Sequence, residues 1–176
     1  MGDASYLASE HYDSVFRYLS RIVGQVEAAR DLTQEVFLRV SRGSVPVASD
    51  LEQRAWVFRI ARNLAINHLR DGRRRPRAVA LSDRPMSAPQ ELAAALQEAL
   101  AALPDVDRDV FLLRESAGLS YDEIAAACEL TIDAVRMRLH RARTALRAAL
   151  GRPIAEQAAR GVSLTFGHRD GRGPHD

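Results

Sequence analysis

Between Gly118 and Arg143 the chain reads GLSYDEIAAACELTIDAVRMRLHRAR, and this stretch decides the fold. Ser120 and Glu123 are spaced as a capping box: the serine hydroxyl accepts the free amide of the third helical residue, and the glutamate reaches back to the serine amide. The helix they open is short, with Ile124 and Ala125 turned inward and Ala127 small enough for a close helix crossing. Cys128-Glu129-Leu130 makes the turn. Thr131 then caps a second helix, and Asp133 sits favourably at its positive end. On that helix Val135, Leu139, Ala142 and Leu146 form one apolar stripe. At about 100° per residue, Asp133, Arg136, Met137, His140 and Arg141 fall on the opposite side. Two capped helices about a tight turn, the second with a basic outer face, suit a helix-turn-helix. In such a unit Arg136 and Arg141 can pair with guanine edges or phosphates, and Met137 can meet a thymine methyl. The alternative is a solvated amphipathic helix whose arginines complement its C-terminal dipole.

Working outward, Asp105 to Ser116 has the spacing of a further helix closed by Gly118. Before it, Leu92, Leu96, Leu100 and Leu103 share the face of another, ended by Pro104. Residues 75–89 hold Pro76, Pro85 and Pro89 with little periodicity, and beyond Gly151 the chain turns to Gly, Arg and His. The segment from Tyr6 to Arg74 reads as three helices. Val15, Phe16, Leu19, Ile22 and Val23 mark the first, and Ala29, Leu32, Val36 and Val40 the second. A loop of Gly, Ser and Pro follows from Gly43 to Asp50, and then a helix from about Leu51 to Asp71, stopped at Gly72. The expectation is an all-α chain of two small helical domains, residues 1–74 and 91–150. A flexible linker over 75–90 would join them, and a flexible tail would occupy 151–176.

Composition supports this class. Apolar residues make up 47% of the 176-residue chain and aromatics only 6%, with Ala and Leu dominant, so helices are expected. No apolar run reaches the roughly 18 residues of a membrane span, and the N-terminus lacks the basic start and apolar run of a signal peptide. A single cysteine, Cys128, excludes an internal disulfide and fits a reducing cytosol, so a cytoplasmic protein is expected. All 25 basic residues are Arg, and the net charge is only +2. They cluster, however, at Arg70, Arg73, Arg74, Arg75 and Arg77, and again at Arg136, Arg138, Arg141, Arg143 and Arg147. Two separated basic zones suit two contacts with one polyanion; either alone reads equally as a solvated face.

These motifs together resemble the extracytoplasmic-function (ECF) sigma factors of bacterial RNA polymerase. Leu119 to Ala125 and Val135 to Arg143 resemble the region-4 helix-turn-helix, and Leu103-Pro104, Arg108 and Phe111-Leu112-Leu113 match the helix leading into it. Asp31-Leu32-Thr33-Gln34-Glu35-Val36-Phe37 resembles the region-2 helix that docks on the clamp of the largest polymerase subunit. The resemblance implies that Asp31, Gln34, Glu35 and Leu38 bind polymerase. Trp56 to Arg70 resembles the helix that reads the minus-10 element. Its indole, guanidinium and amide groups at Trp56, Arg59, Asn63, Asn67 and Arg70 line one stripe suited to stacking on, and bonding to, a separated strand; Arg73 and Arg74 extend it. Thr131, Asp133, Arg136, Met137, His140 and Arg141 would read duplex DNA at the minus-35 element. The loop from Ser44 to Asp50 would help capture a flipped base. Core polymerase (clamp and flap), promoter DNA and an anti-sigma protein are the implied partners. Family members often carry Asp where Asn67 stands and Gly where Glu129 stands. A Glu there is strained if the turn needs positive φ.

Two other readings remain. A free-standing helix-turn-helix regulator would share the C-terminal half, but it has no use for the Asp31 to Phe37 segment or the Trp56 stripe. An enzyme would need a nucleophile elbow, a phosphate-cradling loop or a metal cluster, and none is found; His11, His68, His140, His168 and His175 are scattered. No cofactor or metal is expected.

Overall fold

A computed structural model describes residues 4–43, 49–74 and 88–159, and among these it contains seven helices and no strand. The N-terminal three are α1 (Ala4–Val23), α2 (Val26–Arg42) and α3 (Asp50–Arg74). Helix α1 ends because Gly24 adopts φ +71°, with its amide returning to the Ser20 carbonyl at 3.1 Å. Helix α2 buries Ala29, Thr33, Val36 and Val40. Leu32, expected in the core, is only half-buried; its place is taken by Thr33, whose hydroxyl is satisfied by the Ala29 carbonyl at 2.7 Å. Helix α3 lays Ala55, Val57, Phe58, Ala61, Leu64 and Ala65 into the interior. Its start carries a feature the sequence reading passed over. Ser49 and Glu52 cap reciprocally, with the Ser49 amide on Glu52 Oε2 at 3.0 Å and the Glu52 amide on Ser49 Oγ at 3.4 Å.

The C-terminal four are α4 (Ala88–Ala101), α5 (Asp105–Glu115), α6 (Tyr121–Cys128) and α7 (Ile132–Ala159). Helices α4 and α5 pack on α7, and α6, with Ala127 buried, contacts both α5 and α7. Val135, Leu139, Ala142 and Leu146 are all buried, so the stripe read from the spacing is the one the core uses.

Two helix ends differ from expectation. Helix α3 runs through Gly72 to Arg74, and α7 runs through Gly151 to Ala159. A glycine stops a helix when it swings to positive φ. Gly24 and Gly118 do so, both at +71°, whereas Gly72 and Gly151 do not and are absorbed at a cost of about 1 kcal/mol each. The linker expected at 75–90 gives way to α4 at Ala88; residues 75–87 and 160–176 lie outside the described residues.

The two halves are in contact. Helix α5 touches α1, and α3 lies against α6. Tyr18 and Phe58, both fully buried, meet edge-on at 6.1 Å between centroids.

Among the described residues, Glu129 is the only non-glycine residue with positive φ, at 57°. That conformation costs an L-residue about 1–2 kcal/mol. Glu129→Gly should therefore stabilise the fold by about 0.5–1 kcal/mol after the extra chain entropy of glycine. Glu129→Ala, which keeps the Cβ, should give no gain. Urea-unfolding midpoints of the two variants check this, and an equal shift in both would refute the strain.

Candidate nucleic-acid interface

Both helices of the motif are set by their caps. Ser120 Oγ accepts the Glu123 amide at 3.2 Å, and Glu123 Oε2 accepts the Ser120 amide at 2.6 Å. After the left-handed Glu129, Thr131 Oγ1 accepts the Ala134 amide at 3.2 Å and starts α7. Opposite the buried stripe, Thr131, Asp133, Arg136, Met137, His140 and Arg141 are all exposed, as the spacing predicts. Met137 is 56% exposed, a bare thioether among polar groups.

The arginines of α7 are not equivalent. Arg136 pairs only along its own helix, with Asp133 at 2.9 Å, and both side chains are well exposed. Arg141 is tied back: its Nη2 donates to Asp107 Oδ1 at 3.0 Å, and the same oxygen accepts Arg138 Nη1 at 2.8 Å. Arg143 is held by Glu115 at 2.7 Å. Three of the five arginines in the second basic zone thus brace α7 against α5, and Arg141 sits at the edge of the outward face rather than free upon it.

The α3 stripe divides similarly. Asn63, Asn67 and Arg70 are exposed. Trp56 is half-buried, its ring so close to the backbone at Gly43 that a Cβ there would lie 3.4 Å from it. Arg59 is half-exposed, with Nη1 3.9 Å from Glu129 Oε1. Arg73 and Arg74 belong to the last turn of α3, and their side chains lie outside the described residues, as does the loop segment 44–48.

On α2, Asp31 and Gln34 are exposed and Glu35 is paired with Arg39 at 2.7 Å. Leu38 is 41% exposed. Its chain neighbour Phe37 stacks on Tyr12 of α1 at 5.7 Å.

Sequence reasoning missed the ionic seam between the halves. Asp109 of α5, only 2% exposed, accepts hydrogen bonds from the Tyr18 hydroxyl and from Arg62 Nε. Burial raises its pKa, against the pull of Tyr18 and Arg62, and burial likewise pushes the Tyr18 phenol well up. Arg54 donates to Glu123 Oε1 at 3.2 Å and to the Ala117 carbonyl at 2.9 Å, and Arg17 donates to the Ser116 carbonyl at 3.2 Å. Cys128 is a free buried thiol with its pKa pushed up to about 12 by burial and then by Asp109, which suits the role of a small apolar side chain. Asp109 could have been noticed, since helical spacing places it on the same side of α5 as Val106 and Leu113; its partners could not. Among the described residues no cluster of three His, Cys, Asp or Glu side chains could hold a metal, and no helix is long and apolar enough to cross a membrane.

Comparison with known proteins agrees with this geometry. Residues 7–75 match the family model described as sigma-70 region 2, and residues 93–146 match that described as sigma-70, region 4. The chain is 37% identical over 164 residues to the ECF RNA polymerase sigma factor SigE of Mycolicibacterium smegmatis, covering 86% of this chain. The match spans 63% of SigE, a little under two thirds of its length. It is 34% identical over 141 residues to the ECF RNA polymerase sigma factor SigC of Mycobacterium tuberculosis, covering 75% of each. Among solved structures, CnrH in complex with the cytosolic domain of CnrY superposes with a TM-score of 0.63 at 28% identity, covering 84% of this chain and 87% of that one. The fold and the two regions define a sigma-70-type protein. The chain belongs to the ECF branch of the RNA polymerase sigma factors.

Asp107 is the test of the bracing of α7. A buried ion pair that loses one partner typically costs about 3–5 kcal/mol, and the half-exposure of Arg141 reduces that to about 2–3 kcal/mol here. Asp107→Asn should lower stability by this amount in chemical unfolding, and a change below about 0.5 kcal/mol would show that the brace is idle.

Proposed function

We propose that this chain is an alternative sigma factor: it binds core RNA polymerase and directs initiation at promoters by reading a minus-35 duplex and a melted minus-10 strand. The observation that carries this reading is the presence, in one chain, of a capped helix-turn-helix with an exposed reading face and a separate helix bearing an exposed amide and guanidinium stripe.

Residues 1–74 form the polymerase-binding and minus-10 domain and residues 91–150 the minus-35 domain; the linker of 75–90 takes in the first residues of α4, and the tail of 151–176 takes in the last residues of α7. Asp31, Gln34, Glu35 and Leu38 meet the polymerase clamp, and the C-terminal domain meets the flap. Trp56, Arg59, Asn63, Asn67, Arg70, Arg73 and Arg74 hold the separated strand, the aromatic ring by stacking and the polar groups by hydrogen bonds and phosphate contacts. Thr131, Asp133, Arg136, Met137, His140 and Arg141 face the major groove. Arg136 is the leading candidate for base reading, because nothing outside its own helix holds it. The chain performs no catalysis of its own; polymerase supplies that. It acts in the cytoplasm, and an anti-sigma protein restrains it.

Run-off transcription with sigma-free core polymerase on a pool of genomic promoters tests this. Discrete starts that require the chain are expected. Absence of starts together with absence of co-elution with core would overturn the reading in favour of a free-standing regulator. Arg136→Ala should weaken promoter use by about 1–3 kcal/mol and relax preference at one base pair. Unchanged strength and preference would remove Arg136 from the reading face.

A further inference from the structure

Sulfur occurs at four positions of this chain, Met1, Met86, Cys128 and Met137, and the last two belong to the described residues. Their situations are opposite. The Cys128 side chain is buried and its thiol pKa is pushed up to about 12, so at neutral pH it is neither reachable nor a thiolate. Met137 is 56% exposed, and a thioether needs no deprotonation before its lone pair can react.

The surroundings of Met137 leave it as the oxidisable group of its face. Arg136, His140 and Arg141 stand around it on the outward side of α7. Arg136 is paired with Asp133 at 2.9 Å, and Arg141 donates to Asp107 at 3.0 Å. Guanidinium and carboxylate groups give up electrons far less readily than divalent sulfur. A cysteine would ordinarily be the first target of an oxidant. Burial withdraws it here, and the reachable sulfur lies on the helix face.

Position gives the reaction a consequence. Met137 is the one apolar member of the proposed reading set, suited to contact with a thymine methyl. Oxidation turns this apolar side chain into a polar one. The sulfoxide oxygen is a hydrogen-bond acceptor, whereas the thymine edge offers a methyl and a second acceptor, O4. Seating the sulfoxide there strips it of water and leaves it unpaired. Only adenine and cytosine carry amino donors in the major groove that it can meet. Oxidation should therefore weaken binding and shift preference away from thymine. It should leave the fold alone, because the buried stripe of Val135, Leu139, Ala142 and Leu146 lies on the other side of the helix.

We propose that Met137 is a reversible oxidation site through which a two-electron oxidant of the hypohalous acid class turns down minus-35 recognition. This rests on the sigma-factor reading above. With hypochlorous acid the sulfur loses two electrons and gains the oxygen, the O–Cl bond breaks, chlorine leaves as chloride and a proton passes to water. Methionine sulfoxide reductases, one for each epimer, return the thioether; two thiols become a disulfide and the oxygen leaves as water.

The test uses the full chain and core polymerase. Equimolar hypochlorous acid followed by peptide mass spectrometry should place oxygen on Met137 while Cys128 stays a free thiol. The treated chain should initiate about tenfold less well, a loss of the size expected from burying one unpaired polar group. It should keep its helical circular dichroism and its co-elution with core, and the two reductases should restore initiation. Duplexes selected from a random pool should carry less thymine at one base pair after treatment than before. Met137→Leu, whatever its starting activity, should be indifferent to the oxidant, and Met86→Leu should be as sensitive as the unaltered chain. Equal loss in treated Met137→Leu would overturn the proposal. So would initiation unchanged by oxygen on Met137, or a Met137 that takes up no oxygen. If the untreated chain fails to initiate, the sigma-factor reading falls, and the pool selection alone then decides whether oxidation of Met137 alters duplex recognition.

Discussion

A carboxylate taken out of water must be met by cations and hydrogen-bond donors or give up its charge, and the arrangement of this chain turns on how Asp109 meets that demand. Its own domain supplies neither hydrogen bond found on its oxygens. A phenol from α1 and a guanidinium from α3 do so, so the buried charge is satisfied only when the two halves of the chain are together. Burial still wins, in that the acid is harder to ionise than in water. The contact therefore specifies an orientation more than it supplies adhesion.

Helix α5 extends the same logic in two directions. Asp107 and Asp109 are two residues apart, about 200° around the helix, and so face opposite ways. Asp109 looks toward the N-terminal half. Asp107 looks toward α7, where a single oxygen receives both Arg138 and Arg141. Glu115, further along, takes Arg143. Glu123 repeats the pattern on α6, capping its own helix while holding Arg54 of the other half. The chain carries 23 acidic residues against 25 arginines, and several of those acids spend their charge on arginines inside the fold.

What could be read from the sequence was what is local. The Ser120–Glu123 box, the Thr131 cap and the Val135 to Leu146 stripe depend on residues three or four apart, and all three are present in the fold. Positive φ at Glu129 was signalled only through the resemblance, in which glycine often stands at that position of the turn. Gly72 and Gly151 misled because a glycine permits a helix end without requiring one; whether it turns depends on what the next residues can pack against. The seam was illegible for a different reason. Tyr18 and Asp109 are 91 positions apart, and Tyr18 sits among apolar residues at core spacing, so nothing in its neighbourhood marks its hydroxyl as a donor to another domain. The outward faces of α2, α3 and α7 were legible as exposed surface, while what binds them was suggested by resemblance rather than by spacing.

The bracing of α7 bears on how this helix can meet DNA. Counterion release, the sequence-independent part of DNA affinity, scales with the cations free to neutralise phosphates. Arg138 and Arg143 point back to α5, and Arg141 is shared with Asp107, so the helix presents much less mobile positive charge than its arginine count suggests. Arg136, Met137 and His140 remain outward on a rigid support, and under the proposed function they form a small reading set. Such a surface discriminates between base pairs better than it adheres to duplex in general. A reader of this kind gains occupancy from being tethered to something else that holds the DNA nearby, by the arithmetic of effective concentration. In a sigma factor that second holder is the polymerase with the melted strand, which is the arrangement in which weak intrinsic duplex affinity becomes an advantage, because it leaves the free chain unbound at sites where no polymerase is engaged.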